Sequence, residues 1–176
     1  KLVSIEMFEA VGLAHYDEFF KTCDRVLKPG GQMLLQTITT DAWRFDAYRA
    51  APDWIERYIF PGSELASAQA ILTSVKHHTR LGLSHAENIG VHYALTLRAW
   101  RARFLSRLDE VRALGYDDRF IRMWDFYLAS CEAAFLERHT GLFQLLLVKN
   151  GTRRRMRNEG GTVAEERDPR VASRES

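Results

Sequence analysis

The first forty residues constrain the fold most, because two apolar runs of strand length flank one amphipathic segment. The runs cover residues 2–5 and 32–39. Between them, large apolar residues recur at spacings of three and four: Tyr16, Phe19, Phe20, Cys23 and Leu27. This stripe is typical of a helix packed on a core, and the KPGG segment at residues 28–31 ends it. A strand, a helix and a second buried strand predict an α/β fold with a parallel pair of strands.

Local signals predict the elements that follow. In chain order, we expect a short helix at 53–60, a helix capped within 63–66 and running to about Lys76, a weak strand at 81–89, helices at 97–115 and 117–141, and a central strand at 142–148. The periodic spacing of apolar residues predicts the helices, and the apolar run at 142–148 has the length and composition of a buried strand. The expected architecture is the last four strands of a doubly wound sheet, with a helical lid inserted between strands.

The composition changes after residue 150. Residues 151–176 contain seven Arg and five Asp or Glu, and almost no large apolar residue. A segment of this kind cannot bury enough apolar surface to offset the entropy of ordering it. We therefore predict one domain over residues 1–150, followed by a disordered charged tail over residues 151–176.

Several classes of protein are excluded by composition. The formal charge of +2 gives no case for nucleic acid as a partner. Two cysteines, Cys23 and Cys131, are too few for a disulfide framework and lack metal-ligand spacing, so we expect a reducing, cytoplasmic setting and no metal site. No apolar run approaches the roughly 18 residues of a membrane span. Because the chain starts inside a strand without an initiator Met, we expect a piece of a longer protein.

Five segments, in unbroken order over residues 1–150, resemble the cyclopropane-fatty-acyl-phospholipid synthases, a family that includes the mycolic acid cyclopropane synthases. The segments are SIEMFEAVG at 4–12 (similar to S-x-x-M-x-E-H-V-G), LLQTI at 34–38 (similar to L-L-H-T-I), YIFPG at 58–62, HYALTLRAW at 92–100 (similar to x-Y-x-x-T-L-x-x-W) and YLASC at 127–131 (similar to Y-L-x-x-C). Each segment alone is weak evidence, but five in order make an accidental match improbable.

The resemblance implies the C-terminal half of a Rossmann-like class I methyltransferase sheet. It also implies methyl transfer from S-adenosylmethionine to the cis double bond of a phospholipid-bound acyl chain. The alkene attacks the sulfonium methyl group, and a base then removes a proton from the resulting cation. In this family the base is thought to be a bound bicarbonate. The implied partners are phospholipid acyl chains at the membrane surface, with the protein cytoplasmic and peripherally associated with the inner membrane. A homo-oligomer is a further expectation.

The resemblance also assigns roles to individual residues. Glu9, Gln36, the backbone of Ile38 and Tyr93 are implied to hold bicarbonate. Glu9, Tyr93 and Cys131 are the implied catalytic residues, and Ser4, Ile5 and Glu9 are implied to contact the methyl donor. An alkene offers little for hydrogen bonding, so this chemistry needs a dry, apolar site with a few polar groups at the reacting carbon.

Two positions depart from the family pattern, because Ala10 and Gln36 stand where His is usual. Gln cannot carry charge, which leaves open whether the product is a cyclopropane or a methylene- or methyl-branched chain. The chain also has no Gly-x-Gly turn, which cofactor binding in this fold requires. We therefore expect these 176 residues to be inactive on their own.

Structural roles compete with each assignment. Glu9 could be a carboxylate at the start of a helix, Tyr93 an amphipathic core residue, and Cys131 a buried structural thiol. Two other functions also remain open. One is an α/β methyltransferase that acts on a small molecule, and the other is a non-catalytic lipid-binding domain that kept the fold. A Gly-rich turn in the upstream sequence would favour an enzyme, and a degenerate turn would favour the binding domain.

Overall fold

The computed structural model describes residues 1–51 and 53–150 of the chain. Within those residues the strands are β1 (Leu2–Ile5), β2 (Gln32–Thr40), β3 (Leu81–Asn88) and β4 (Thr140–Lys149). The helices are α1 (Tyr16–Val26), α2 (Phe45–Ala50), α3 (Trp54–Tyr58), α4 (Ala68–His78), α5 (Gly90–Leu105), α6 (Leu108–Ala113) and α7 (Asp118–Leu136). The tail predicted at residues 151–176 lies outside the described residues, so it stays a prediction.

The strands form one open sheet in the order β1–β2–β4–β3. β1 and β2 are parallel and α1 connects them, which confirms the βαβ unit. β4 runs antiparallel to both of its neighbours and lies between them, so the expected central position of the last strand is also confirmed. The fold is α/β, as the sequence predicts.

Alternation along the strands divides the core between the two faces of the sheet. On one face, Met33 and Leu35 of β2 and Leu147 of β4 are fully buried and pack with residues of α1 and α4. On the other face, Leu142 and Ile38 pack with residues of α5 and α7. Helices therefore cover both faces of the sheet.

The stripe predicted for α1 is confirmed. Tyr16, Phe20, Cys23 and Leu27 are all buried against the sheet. The 3-10 turn Phe8–Ala10 adds to this cluster, because the Phe8 ring packs against the aromatic rings of the stripe. Since that turn directly follows β1, its position is fixed by the core of the domain.

Two boundaries differ from the sequence prediction in the second half of the chain. The helix expected from residue 97 begins at Gly90, where a Cβ would crowd the Phe135 ring at 3.1 Å. The same helix ends at Leu105, where the Ser106 hydroxyl donates to the Arg103 carbonyl at 2.8 Å, and α6 follows as a separate helix. The early start places Tyr93 on a helix.

Three further differences concern helix ends and the lid. Ser67, not a residue within 63–66, caps α4 by accepting a hydrogen bond from the Ala70 amide at 3.1 Å. The last helix ends at Leu136 rather than near residue 141, because Arg138 adopts a positive φ of 57° before β4 begins. The lid predicted between strands contains α2 and α3, and the sequence pattern did not indicate α2.

Among residues 1–51 and 53–150, no helix combines the length and the apolar character needed to cross a bilayer.

Candidate functional site

A cavity of about 340 Å³ lies where β1 and β2 end, between the lid and α7. Side chains from the ends of β1 and β2, from α2 and α3, and from α7 form its wall: Glu6, Met7, Glu9, Ala10, Ile38, Tyr48, Asp53, Ile55, Glu56, Phe60, Ser63, Leu65, Tyr127, Ser130, Cys131, Ala134, Phe135 and Thr140. Most of the exposed wall is apolar, with a few carboxylates and hydroxyls among the apolar side chains. A long apolar ligand with one reactive position suits such a cavity.

Glu9 is held rigidly at the wall of this cavity. Its Oε1 atom accepts hydrogen bonds from the Ile38 amide at 2.6 Å and from the Thr37 hydroxyl at 3.0 Å. Its backbone carbonyl accepts a bond from the Glu64 amide at 2.8 Å. The second carboxylate oxygen, Oε2, is buried and has no partner among the described residues. Glu9 therefore ties the 3-10 turn to β2 and leaves one buried carboxylate oxygen without a partner among the described residues.

Gln36 and Tyr93 meet at a second carboxylate, that of Glu6. The Gln36 Nε2 atom donates to Glu6 Oε1 at 2.9 Å, and the Tyr93 hydroxyl donates to Glu6 Oε2 at 3.4 Å. Gln144, the register partner of Gln36 on β4, donates its own Nε2 to Gln36 Oε1 at 2.8 Å. This contact fixes which end of the Gln36 amide points at Glu6.

Burial, followed by the Glu6 carboxylate, raises the pKa of the Tyr93 hydroxyl to about 12. The hydroxyl is therefore a hydrogen-bond donor throughout the physiological pH range. Burial also raises the pKa of Tyr127 on α7. The Tyr93 ring packs edge-on against Phe135 and Trp100, so the residue serves the core as well as the site.

Cys131 lines the same cavity from α7 and is half-buried. Burial, followed by the charge of Asp53, raises the pKa of its thiol to about 11. At neutral pH the group is therefore a neutral thiol, whereas nucleophilic cysteines need the thiolate. This environment favours a packing role over a covalent one.

The raised pKa gives a direct prediction for thiol alkylation. Because only the thiolate reacts, we expect iodoacetamide to modify Cys131 about 300-fold more slowly at pH 7.5 than an ordinary cysteine of pKa about 8.5. The rate should rise with pH until about 11, where the thiol ionises. Peptide mapping by mass spectrometry separates Cys131 from Cys23, and the denatured protein is the control. Rapid modification of the folded protein at neutral pH would show an activated thiolate instead.

The remaining two residues implied to contact the methyl donor lie on β1. Ser4 is buried, and its hydroxyl oxygen has no partner among the described residues. Ile5 is 57% exposed on the other face of the strand. Ser4 and Glu9 thus both leave a polar atom unsatisfied near the end of β1, which suits a polar ligand bound there.

The structure brings the residues implied by the resemblance into two contacting groups. Glu9 and the Ile38 amide form one group, and Gln36 and Tyr93 form the other through Glu6. Cys131 is separate but lines the same cavity. Glu6 was missed from sequence because it stands at an unspecified position of the S-x-x-M pattern. Its positive φ of 49° is visible only in the structure.

Comparison with solved structures identifies the class of protein. A cyclopropane synthase from Mycobacterium tuberculosis, MmaA2, superposes with a TM-score of 0.75 at 24% identity, covering 84% of this chain and 54% of that one. The mycolic acid cyclopropane synthase CmaA1, solved with S-adenosylhomocysteine (SAH), gives the same TM-score and coverage at 28% identity. The fold is that of the class I S-adenosylmethionine-dependent methyltransferases.

The family follows from the sequence comparisons. The family model described as mycolic acid cyclopropane synthetase matches residues 1–145, and the chain belongs to that family. The tuberculostearic acid methyltransferase UfaA1 of Mycobacterium tuberculosis is 41% identical over 150 residues, which are 85% of this chain and 35% of that protein. The cyclopropane-fatty-acyl-phospholipid synthase of Escherichia coli K12 is 39% identical over 156 residues, with coverage of 87% and 39%. The chain thus spans less than half the length of these curated relatives.

Proposed function

We propose that the protein containing this chain transfers a methyl group from S-adenosylmethionine to the cis double bond of phospholipid-bound unsaturated acyl chains. The product is a cyclopropane or a methylene- or methyl-branched fatty acid. Names of the relatives support a lipid substrate, since they include a fatty-acyl-phospholipid synthase, a tuberculostearic acid methyltransferase and a sphingolipid C9-methyltransferase from Gibberella zeae.

The single observation that carries the proposal is the buried, unpartnered Oε2 atom of Glu9, a residue that lines the apolar cavity. Burying a carboxylate oxygen without a partner is costly, so the position is maintained for a ligand. A carboxylate at such a wall stabilises positive charge strongly, because the effective dielectric constant is low. Methyl transfer to an alkene develops that charge on the acyl chain.

The residues present fit the methyl donor, because Ser4 and Glu9 leave polar atoms unsatisfied near the end of β1. The donor would supply an electrophilic methyl group on a sulfonium. Within the chain, the Ile38 amide and the Thr37 hydroxyl hold Glu9 in one orientation. The apolar wall excludes water, which would otherwise capture the cation.

Bicarbonate fits less well than the methyl donor, because the hydrogen-bond donors implied to hold it already bond to carboxylates of the chain. The Ile38 amide is bonded to Glu9, and the Gln36 amide and the Tyr93 hydroxyl are bonded to Glu6. Of these donors, only the second Gln36 N–H has no partner among the described residues, and an added anion would lie close to two carboxylates, which like-charge repulsion opposes. We therefore assign no step of the reaction to bicarbonate.

We further propose that the acceptor chains lie in phospholipids at the membrane surface, reached from the cytoplasmic side by a protein peripherally associated with the inner membrane. The support is chemical, since an apolar cavity with a polar rim suits an acyl chain whose headgroup stays in water. A homo-oligomer stays a prediction.

The test uses the full-length protein with methyl-labelled S-adenosylmethionine and vesicles of phosphatidylethanolamine. Vesicles whose acyl chains each carry one cis double bond should incorporate label into the chain, and fully saturated vesicles should not. Label transferred only to small-molecule acceptors would replace the proposal with a soluble-substrate methyltransferase. Vesicle binding without any transfer would indicate the non-catalytic domain.

A further inference from the structure

Glu6 is the first residue after β1, and its backbone is in an unusual conformation. Its φ of 49° lies in the left-handed region, which residues with a side chain rarely adopt. The Glu6 amide nevertheless donates to the Gln36 carbonyl at 2.9 Å, so the backbone is tied to β2. Backbone conformations of this kind persist where the surroundings enforce them, and they concentrate at functional sites.

The conformation directs the Glu6 carboxylate at two donors of the site. Gln36 donates to one oxygen and Tyr93 to the other. Gln144 holds Gln36 in the orientation that makes this possible. An ionised carboxylate offers about four acceptor positions, and these two bonds use two of them. Glu6 thus keeps free lone pairs while its position is fixed, and it lines the cavity.

The resemblance assigns these same two donors to bicarbonate. A carboxylate and a bicarbonate have the same charge and the same planar pair of acceptor oxygens, so one can substitute for the other chemically. In this chain the carboxylate is covalently attached, and it already accepts one Gln36 N–H and the Tyr93 O–H. Gln36 suits this arrangement, since its amide offers a donor without the positive charge that a protonated His would bring.

We propose that Glu6 is a catalytic residue that replaces bicarbonate as the proton acceptor of the reaction. This inference rests on the proposed function. One alkene carbon forms a bond to the donor methyl, the carbon–sulfur bond breaks, S-adenosylhomocysteine leaves, and the neighbouring chain carbon becomes cationic. A Glu6 oxygen then takes one proton from the new methyl group. The C–H electron pair then forms the third ring bond. Alternatively, a hydride first shifts from the methylated carbon to the cationic carbon, and the C–H electron pair then forms a methylene double bond.

The positions of the Glu9 and Glu6 carboxylates suit two different roles, charge stabilisation and proton acceptance. Glu9 is bound through one oxygen to the end of β2 and keeps its other oxygen buried, which suits charge stabilisation. Glu6 is exposed, so the proton that its carboxylate accepts can pass to solvent after each turnover. The methyl donor is expected next to both residues. The hydrogens of the transferred methyl group should therefore lie closer to Glu6 than the hydrogens deeper along the acyl chain.

The test compares the full-length wild type with Glu6→Gln and Glu6→Gly in buffers stripped of carbon dioxide and in buffers with added bicarbonate. The wild-type rate should change less than two-fold between the buffers. Glu6→Gln should lose about 100-fold or more, the usual contribution of a positioned base. Glu6→Gly should lose as much but recover with bicarbonate, which can then reach the Gln36 and Tyr93 donors. Glu18→Gln, an exposed carboxylate on α1, is the matched control and should leave the rate unchanged.

A binding measurement makes the result independent of turnover. We expect the carbon-13 NMR signal of labelled bicarbonate to broaden with Glu6→Gly and not with the wild type. Glycine tolerates a positive φ, so this variant should melt no lower than the wild type and report on a folded site. Bicarbonate binding to the wild type, or Glu6→Gln activity within a few-fold of it, would overturn the inference. If the wild type methylates no lipid at all, the proposed function fails, and the NMR result still decides the occupant of the anion position.

Discussion

Replacing Glu9 with Gln in the full-length protein is expected to lower kcat about 10²–10³-fold, the usual effect of removing one group aimed at developing charge. Gln is nearly isosteric and keeps an acceptor for the Ile38 amide and the Thr37 hydroxyl. It replaces the unpartnered, buried Oε2 with an NH₂ group, which cannot stabilise a cation.

Folding should survive this change, because the two donors remain satisfied and the loss of charge in those bonds costs only about 1–2 kcal/mol. In Glu9→Gln the rate of SAH release should therefore fall while the melting temperature changes little. Glu18→Gln again serves as the control, since it removes a carboxylate from an exposed position on α1. Activity of Glu9→Gln within a few-fold of wild type would remove Glu9 from the mechanism.

The largest effect on stability is expected for Phe8→Ala. Phe8 is fully buried, and its ring centroid lies 4.4 Å from that of Tyr16, 5.0 Å from that of Phe19 and 5.4 Å from that of Phe20. Truncating a buried Phe typically costs about 3–5 kcal/mol, because the neighbours collapse only partly into the cavity. At roughly 2–4 °C per kcal/mol for a domain of this size, the melting temperature should fall by about 6–20 °C.

Leu114→Ala is the control for this measurement, because Leu114 is 77% exposed at the end of α6. A surface substitution of this kind should stay within about 0.5 kcal/mol of wild type. Phe8 also begins the turn that carries Glu9, so activity should fall with stability in Phe8→Ala. An unchanged melting temperature would mean that the aromatic cluster around α1 does not hold β1 in place.

Amphipathic periodicity made α1 predictable, because the helix buries one face. A continuous apolar run made β4 predictable, because no side chain of that strand is exposed. β3 gave only a weak signal, since most of its side chains are exposed and no alternation marks its inner face. The antiparallel pairing of β3 and β4 could not be predicted, because strand direction depends on contacts far apart in the sequence. The start of α5 was missed because Ile89 makes no side-chain cap.

The candidate site was predictable only as far as the resemblance specified its residues. Glu9, Ile38 and Cys131 were expected at one site, and all three line the cavity. Gln36 and Tyr93 were expected to hold bicarbonate, which stays a prediction, and in the structure both donate to Glu6. No sequence pattern indicates that contact, because it depends on a backbone conformation at Glu6 and on the support that Gln144 gives to Gln36.

The most direct test of the central claim uses S-adenosylmethionine with a fully deuterated methyl group and a phospholipid whose acyl chains each carry one cis double bond. Transfer to the double bond followed by loss of a methyl proton should leave two deuterium atoms on the added carbon, in either a ring or a methylene group. Mass spectrometry of the released fatty acids reads this directly. Label on the headgroup, or no label on the acyl chain, would contradict methyl transfer to the double bond. An acyl chain that keeps all three deuterium atoms would contradict the transfer of a methyl proton to Glu6.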